Sequence, residues 1–343
     1  MGIWKDSLLP VLLGIYALYA EHPSPGWAIS LHVLLGLSIA IVLNRALNLW
    51  AMNNWSIRAH TGWDWDSEVA VVTGGSGDIG QGLVEGLLAK GGRVAILDMR
   101  PPPETKPSGK NDMNDTEKKS KNLIFIKCDV SNPADIAVAD ETIHATFGAH
   151  PSILINNAGM IRTGTPILCA KEADLRAAAG VNFLAHWLTT QQFLPHMLAK
   201  NKGHIVTISS LAAYIALPAS VDYAATKAAS LAFHEGLTCE IKHIYKSPGV
   251  MTSIVHSAFV KTQMTATIWD EVEAAGVKLL TVDQVTEPVL KQIFERRGGQ
   301  VFVPETHAVV SLLRSFPNWL QEIVRDQFGK AKRAPIGSPY VKQ

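Results

Sequence analysis

The chain has 343 residues, of which 47% are hydrophobic and 18% are charged, and its 31 lysines and arginines against 30 aspartates and glutamates leave a net charge of +1. This balance excludes the broad basic surface of a dedicated nucleic-acid binder, and the apolar content excludes a chain that is disordered throughout. The three cysteines, Cys128, Cys169 and Cys239, form no CxxC pair and no His/Cys cluster at ligand spacing. We therefore expect no disulfide framework, no metal site and a reducing compartment.

The apolar excess lies at the N-terminus and predicts a membrane anchor over residues 1–60. Ser7–Ala20 carries no charge, and Trp27–Leu43 is a second apolar run behind a Pro- and Gly-rich breaker. At about 1.5 Å per residue the second run spans roughly 25 Å, against a hydrocarbon core of about 30 Å. It crosses a bilayer only if the helix continues to Met52.

Three interpretations of this region are open. The favoured one is a membrane hairpin or a single anchor, and the others are a cleaved signal peptide and a buried apolar hairpin of the globular domain. Leu18–Ala20 is a poor small-x-small cleavage site, which counts against the signal peptide. Arg45 and Arg58 follow the second run, whereas Asp6 offsets Lys5, so the positive-inside bias predicts that the following domain faces the cytosol.

From Glu68 onward, short apolar runs alternate with segments of helical periodicity. Runs without polar alternation indicate strands that are buried on both faces, and their alternation with helices predicts a doubly wound parallel α/β sheet. The carboxyl ends of such strands form the ligand site. The predicted strands are Val69–Val72, Val94–Leu97, Ile124–Ile126, Ile153–Ile155, Ile205–Ile208 and Ser253–Val255.

One stretch, Pro101–Lys121, interrupts this alternation. It is rich in proline, lysine, asparagine, aspartate and serine and has almost no apolar residues. This composition predicts a mobile surface loop, with an interaction or modification segment as the alternative.

A glycine-rich turn, Thr73–Gly80, follows the first strand and opens a helix. Glycines let the backbone approach a pyrophosphate, and the helix N-terminus offers free amides and a partial positive charge. Asp98 ends the second strand, where a carboxylate can accept hydrogen bonds from a ribose, whereas Arg100 could meet a 2′-phosphate. The turn therefore predicts dinucleotide binding, and an ordinary glycine-rich connection is the alternative.

The most specific pattern joins Ser210, Tyr223 and Lys227. The tyrosine and lysine lie one turn apart on a predicted helix, with about 5–6 Å between their Cβ atoms, and the serine ends a predicted strand. An ammonium beside a phenol stabilises the phenolate, so we expect Lys227 to lower the pKa of Tyr223 from its ordinary value of about 10. The tyrosine would then donate or accept a proton near neutral pH. A solvent-facing pair on a helix is the alternative.

Together these motifs resemble those of the short-chain dehydrogenases/reductases. Thr73–Gly80 is similar to the family's TGxxxGxG loop, Asn156–Gly159 to its NNAG motif and Tyr223–Lys227 to its YxxxK motif, over about residues 67–265. The resemblance implies a Rossmann fold, an NAD(P) cofactor and hydride transfer. The catalytic set that it implies is Asn182, Ser210, Tyr223 and Lys227. The cofactor contacts that it implies are Gly74, Ser76, Ile79, Gly80, Asp98, Asp129, Asn157, Tyr223, Lys227, Val260 and Thr262.

The sequence departs from the family pattern at two places. Asp78 stands where the glycine-rich loop usually has its middle glycine, and Ser257-Ala258 stands where Pro-Gly usually precedes Val260. A carboxylate near a pyrophosphate is electrostatically unfavourable, so Asp78 either points away or weakens cofactor binding. Pro248-Gly249 comes too early to replace the missing pair, and we expect it to turn the chain into the preceding strand.

The anchor and the long C-terminal tail resemble the membrane-bound branch of retinol dehydrogenases and type 11-like 17β-hydroxysteroid dehydrogenases. This resemblance implies an oxidoreductase of lipophilic alcohols and carbonyls, of the retinoid, steroid or long-chain lipid type, at the endoplasmic reticulum or lipid droplets. The expected organisation is an anchor over 1–60, a dinucleotide-binding catalytic domain over 67–265 and a substrate-binding extension over 266–343.

The expected partners are a small lipophilic substrate and the membrane, with a homodimer allowed and no nucleic acid. NAD(H) is expected over NADP(H), because the carboxylate of Asp98 repels a 2′-phosphate. A catalytically silent membrane-bound adaptor that retains the fold is the alternative function. A secreted or lumenal protein is the alternative location, and a glycan at Asn54 or Asn114 would reveal it.

Overall fold

The computed structural model describes residues 25–56, 62–103, 121–161, 165–274 and 276–331, together with residues 13, 16 and 17. The chain divides into two compact units, Met1–Ala59 and His60–Gln343. The predicted organisation into an anchor, a catalytic domain and an extension stays a prediction. Most of the predicted loop Pro101–Lys121, and all but three residues of the first apolar run, lie outside the described residues.

Helix α1, Pro25–Met52, makes up most of what is described of the first unit. It starts at a proline, which is tolerated in a first turn because the missing N–H has no helical partner there. Its segment Ser30–Met52 is 23 residues long with a mean hydropathy of 1.7, and it is the one helix in the described ranges that is long and apolar enough to cross a membrane. The helix thus continues to Met52, as a spanning segment requires. Whether the anchor is a hairpin or a single span stays a prediction.

The second unit is built on a seven-stranded parallel sheet with the strand order β3-β2-β1-β4-β5-β6-β7. All six predicted strands are present, and β7 is a seventh that the sequence did not predict. The strand order reverses between β1 and β4, which opens a crevice at the carboxyl ends. The strands are β1 Val69–Thr73, β2 Arg93–Asp98, β3 Leu123–Lys127, β4 Ile153–Asn156, β5 Gly203–Ser210, β6 Val250–Ser257 and β7 Gly299–Val303.

Helices cover both faces of this sheet. In β1, Val69 and Val71 pack into one core with α3, α5 and α6, whereas Ala70 and Val72 pack into the other core with α2 and α8. This alternation follows from the two-residue period of a strand and explains why the runs are apolar throughout. The helices are α2 Asp78–Ala89, α3 Pro133–Phe147, α4 Glu172–Ala179, α5 Ala185–Ala199, α6 Val221–His243, α7 Trp269–Ala274, α8 Val282–Glu295 and α9 Asn318–Ala331.

Three local features bear on the sequence predictions. Gly249 directly precedes β6, so the Pro-Gly pair does turn the chain into that strand. Cys128, Cys169 and Cys239 are free thiols. A π-helical turn, Gly180–Leu184, joins α4 to α5, and such turns occur often at functional sites.

Candidate active site

A cavity of about 1260 Å³ lies at the carboxyl ends of the strands. Every predicted site residue lines it except Asn182, which is fully buried behind the wall. The parallel sheet accounts for this gathering, because β1, β2, β4 and β5 all end at the same edge.

The glycine-rich turn is packed too tightly for side chains at two positions. Gly74 has a φ of +62°, and a Cβ there would lie 2.8 Å from the Cα of Ala158. A Cβ on Gly80 would lie 2.3 Å from the carbonyl oxygen of Gly74. These glycines let the turn fold back on itself beside the N-terminus of α2, where Ser76 and Ile79 also line the cavity.

Asp98 is held against this turn at the end of β2. Its Oδ2 accepts a hydrogen bond from the amide of Ser76 at 3.1 Å, and its Oδ1 accepts one from the amide of Arg100 at 3.1 Å. The Ser76 hydroxyl donates to the carbonyl oxygen of Arg100 at 2.8 Å. The carboxylate is therefore fixed at the rim of the cavity while remaining half-buried.

Asn157 and Asp129 line the same wall and are tied to the backbone. The amide of Asn157 donates to the carbonyl oxygens of Thr73 and Gly74, both at 3.0 Å, so this side chain shapes the glycine-rich turn. Asp129 lies just beyond β3, where its Oδ1 accepts from the amide of Ser131 at 2.9 Å and from its hydroxyl at 2.6 Å.

Ser210, Tyr223 and Lys227 come together across β5 and α6. Ser210 is hydrogen-bonded to the Tyr223 phenol. The Nζ of Lys227 lies 5.6 Å from the centre of the Tyr223 ring and donates to the carbonyl oxygen of Ile208 at 2.9 Å. The three groups therefore form one constellation on the cavity wall, as the motif predicts.

The pKa values correct one expectation about this constellation. Burial raises the pKa of Tyr223 to about 12, although the hydrogen bond from Ser210 opposes that rise. Burial lowers the pKa of Lys227 to about 8. The expectation that Lys227 lowers the pKa of Tyr223 below its ordinary value is wrong for this structure, because desolvation of the phenolate outweighs any stabilisation by the ammonium.

Asn182 lies in the π-helical turn and does not reach the cavity. Its Oδ1 accepts from the amide of Met160 at 2.7 Å, and its Nδ2 donates to the carbonyl oxygen of Met160 at 2.9 Å and to Thr226 at 3.2 Å. A Cβ on Gly159 would lie 3.6 Å from Asn182 Oδ1 and 3.9 Å from Lys227 Nζ. The asparagine and the lysine thus flank one glycine.

Asp78 points toward the neighbouring wall of the cavity. Its Oδ2 accepts a hydrogen bond from the backbone amide of Gln263 at 2.9 Å. Gln263 begins a 3₁₀ turn, Gln263–Ile268, which Thr262 caps, and Val260 precedes this cap in a short pairing with Leu280. The carboxylate of Asp78 therefore has a defined backbone partner while it lines the cavity. Whether it weakens cofactor binding stays a prediction.

The sequence did not predict a buried network behind Ser210. The Nδ1 of His256, on β6, lies 3.2 Å from the carbonyl oxygen of Ser210, and its Nε2 lies 3.1 Å from Nε2 of Gln300 on β7. The hydroxyl of Tyr214 approaches the same histidine at 3.5 Å. The Gln300 contact depends on β7 and the other two join β6 to the end of β5 and the segment after it, which explains why no local motif indicated them.

An apolar wall of the cavity lies outside the individually predicted site residues, although the sequence predicted a substrate-binding extension over 266–343. Most of it belongs to the C-terminal segment, through the turn Glu305–Ser315 and α9. The i, i+4, i+7 spacing of Val309, Leu313 and Phe316 could have indicated it as one face of a helix-like element. The apolar residues of this wall are Ile215, Leu217, Val309, Val310, Leu313, Phe316 and Val324.

Comparison with known proteins gives a consistent result. The sequence model of the short chain dehydrogenase family matches residues 68–273. Dehydrogenase RED2 of Cochliobolus heterostrophus is 36% identical over 224 residues, which cover 64% of this chain and 79% of that protein. Estradiol 17-beta-dehydrogenase 11 of Homo sapiens is 30% identical over 200 residues, which cover 57% of this chain and 62% of that protein. The match thus spans less than two thirds of the second relative.

Among solved structures, a short chain dehydrogenase/reductase from Burkholderia phymatum in complex with NAD superposes with a TM-score of 0.61. It is 22% identical and covers 74% of this chain and 95% of that chain. At this identity the likeness shows the fold, which agrees with the doubly wound sheet described above.

Proposed function

Because the chain belongs to the short-chain dehydrogenase/reductase family, whose members are NAD(P)-dependent oxidoreductases of CH–OH groups, we propose that it interconverts a lipophilic alcohol and its carbonyl. The observation that carries the proposal is the position of the apolar wall, which shares one cavity with Ser210 and Tyr223. A substrate with a polar oxygen at one end and a hydrocarbon body matches this division.

The residues present fit an NAD(P) cofactor. Gly74 and Gly80 allow the turn to fold tightly on its own backbone, and this turn would face the pyrophosphate. Helix α2 begins at the same turn and would direct its N-terminus at the phosphates. Asp98 would accept the ribose hydroxyls, and its negative charge favours NAD(H) over the 2′-phosphate of NADP(H). The remaining contacts would come from Asp129 and from the segment around Val260 and Thr262.

The bound cofactor would supply or accept the hydride, and the chain would handle the proton. Tyr223 would protonate the developing alkoxide, and Ser210 would hydrogen-bond the same oxygen and position it. A pKa of about 12 keeps the phenol protonated at neutral pH, which is the state that carbonyl reduction requires. Lys227 would hold the ribose and stabilise charge beside the phenol, with Asn182 supporting it through a bridging water.

Two features support a membrane-associated substrate. Helix α1 could serve as an anchor. The C-terminal segment also exposes large apolar side chains, with Leu312, Trp319 and Ile323 exposed by 52%, 66% and 50%, and such side chains could contact a membrane surface. We propose anchoring at the endoplasmic reticulum or lipid droplets with the second unit in the cytosol. Endogenous glycan at Asn54 or Asn114 would contradict this orientation.

The catalytically silent adaptor has no observation in its favour. Its one support was the carboxylate of Asp78 in the glycine-rich turn, and that carboxylate has a structural partner in Gln263. Ser210, Tyr223 and Lys227 are together at the cavity wall, which an adaptor does not need.

The decisive experiment is a carbonyl-reduction assay of the purified chain in detergent with retinal, a steroid ketone and a long-chain aldehyde. We expect turnover with at least one of them, and Tyr223→Phe should lower kcat by about 10²–10⁴-fold with little change in nucleotide affinity, since only the proton donor is lost. Tyr245→Phe is the matched control, because Tyr245 is 42% exposed and lies outside the cavity lining. More than a tenth of wild-type activity in Tyr223→Phe would overturn the mechanism.

A further inference from the structure

A cluster of histidines lies around a buried carboxylate on α3, α5 and the loop before β4. Asp140, on α3, is 4% exposed. Its Oδ1 lies 3.1 Å from Nδ1 of His150, and its Oδ2 lies 3.6 Å from Nε2 of His196. Gln192 donates to the same Oδ2 at 2.8 Å and holds the carboxylate in place. Three elements that are distant in sequence thus bring three potential ligand atoms within 4.8 Å of one another.

The spacing of these atoms matches that of zinc ligands. Bonds of about 2.0–2.1 Å in a tetrahedral site put neighbouring ligand atoms about 3.3 Å apart. His150 lies 3.1 Å from Oδ1 of Asp140 and His196 lies 3.6 Å from Oδ2, so each imidazole is near that distance from a different oxygen of one carboxylate, and the candidate ligand atoms all lie within 4.8 Å of one another. Two imidazoles and one carboxylate are donors that suit zinc and related divalent transition metals, and they leave a fourth position for water.

We propose that Asp140, His150 and His196 form a binding site for a divalent transition metal ion, with Zn²⁺ as the best match. The rings of His150 and His196 stack at 3.5 Å, so both must rotate out of the stack to direct their lone pairs at one ion. Their side chains are 30% and 36% exposed, which leaves room for this rotation. The same two rings line a cavity of about 210 Å³, through which an ion can enter. Motif spacing could not show the site, because residues 140, 150 and 196 meet only in the folded chain.

The test is a calorimetric titration of the tag-free full-length chain with ZnCl₂ at pH 7.5, together with the absorption spectrum of the Co²⁺ form. We expect one ion per chain, a Co²⁺ spectrum with nitrogen and oxygen ligands, and a rise in unfolding temperature, since the ion joins three elements. His150→Ala and His196→Ala should each weaken binding by at least about tenfold, because each removes a ligand.

The matched control is His144→Ala. His144 stacks on His150 at 4.3 Å but contributes no atom to the ligand set, so this variant should bind the ion as the wild type does. The two ligand histidines are preferred to Asp140 for the test, because removing the buried carboxylate endangers folding. Three results would overturn the proposal. The wild type binds no ion, both ligand variants keep wild-type binding, or His144→Ala loses binding as much as they do.

Discussion

The hydrogen bond between Asp78 and the amide of Gln263 gives the sharpest prediction about the cavity. It joins the first residue of α2 to the first residue of the turn Gln263–Ile268, and both line the cavity. Asp78→Ala removes the acceptor and the charge, whereas Asp78→Asn keeps an acceptor oxygen and removes only the charge. Gln263→Pro removes the backbone donor together with the Gln263 side chain, and Thr262 already has the extended conformation that must precede a proline, with φ −134° and ψ 164°.

The expected size of the effect follows from the exposure of this hydrogen bond to solvent. A hydrogen bond to a charged group contributes about 1.5–3 kcal/mol when well buried, and an exposed one contributes at most about 1 kcal/mol, which is about fivefold in an equilibrium constant. Asp78→Asn should bind the anionic dinucleotide more tightly than the wild type, because a like charge is gone. Asp78→Ala should bind it more weakly than Asp78→Asn, by about fivefold, because the two sides of the cavity are no longer joined.

The assay is a double-mutant cycle that uses urea unfolding for stability and fluorescence titration for the affinity of NADH. The double variant Asp78→Ala/Gln263→Pro should be no less stable than the less stable of the two single variants, because both remove the same hydrogen bond. The coupling free energy of the cycle is then about 1 kcal/mol. A coupling below about 0.3 kcal/mol would refute the reasoning, as would equal NADH affinity in the Asn and Ala variants.

Two further predictions concern acid stability and cofactor choice. Burial lowers the pKa of His186, His204 and His234 to about 3 and that of His256 to about 4. Their unfolded forms titrate near 6.5, so the unfolded chain takes up more protons as the pH falls below 6.5, and stability should drop by up to about 1.4 kcal/mol per pH unit for each histidine. Urea unfolding at pH 7.5, 6.0 and 5.0 checks this, and constant stability over that range would contradict it. For the cofactor, kcat/KM should be higher with NADH than with NADPH, and Asp98→Ala should narrow or reverse this preference; a clear NADPH advantage in the wild type would contradict the role given to Asp98.

Features that depend on neighbouring residues within one strand, turn or helix could be predicted from the sequence. The ends of β1, β2 and β5 carry Thr73, Asp98 and Ser210, and a parallel sheet necessarily brings those ends to one edge. Tyr223 and Lys227 face each other because a helix repeats every 3.6 residues. Strand β7 escaped prediction because Gly299–Val303 is short and lies next to a proline.

What could not be predicted depends on contacts between distant segments and on burial. From its place in the glycine-rich turn alone, Asp78 is an unfavourable negative charge near a pyrophosphate. Its hydrogen-bond partner, Gln263, is distant in sequence and comes close only in the folded chain. The pKa of Tyr223 shows the same limit, since the YxxxK spacing gives its neighbour but not the loss of solvent that raises the value to about 12. A value this high keeps the phenol protonated at neutral pH, and only the folded environment of the side chain could reveal it.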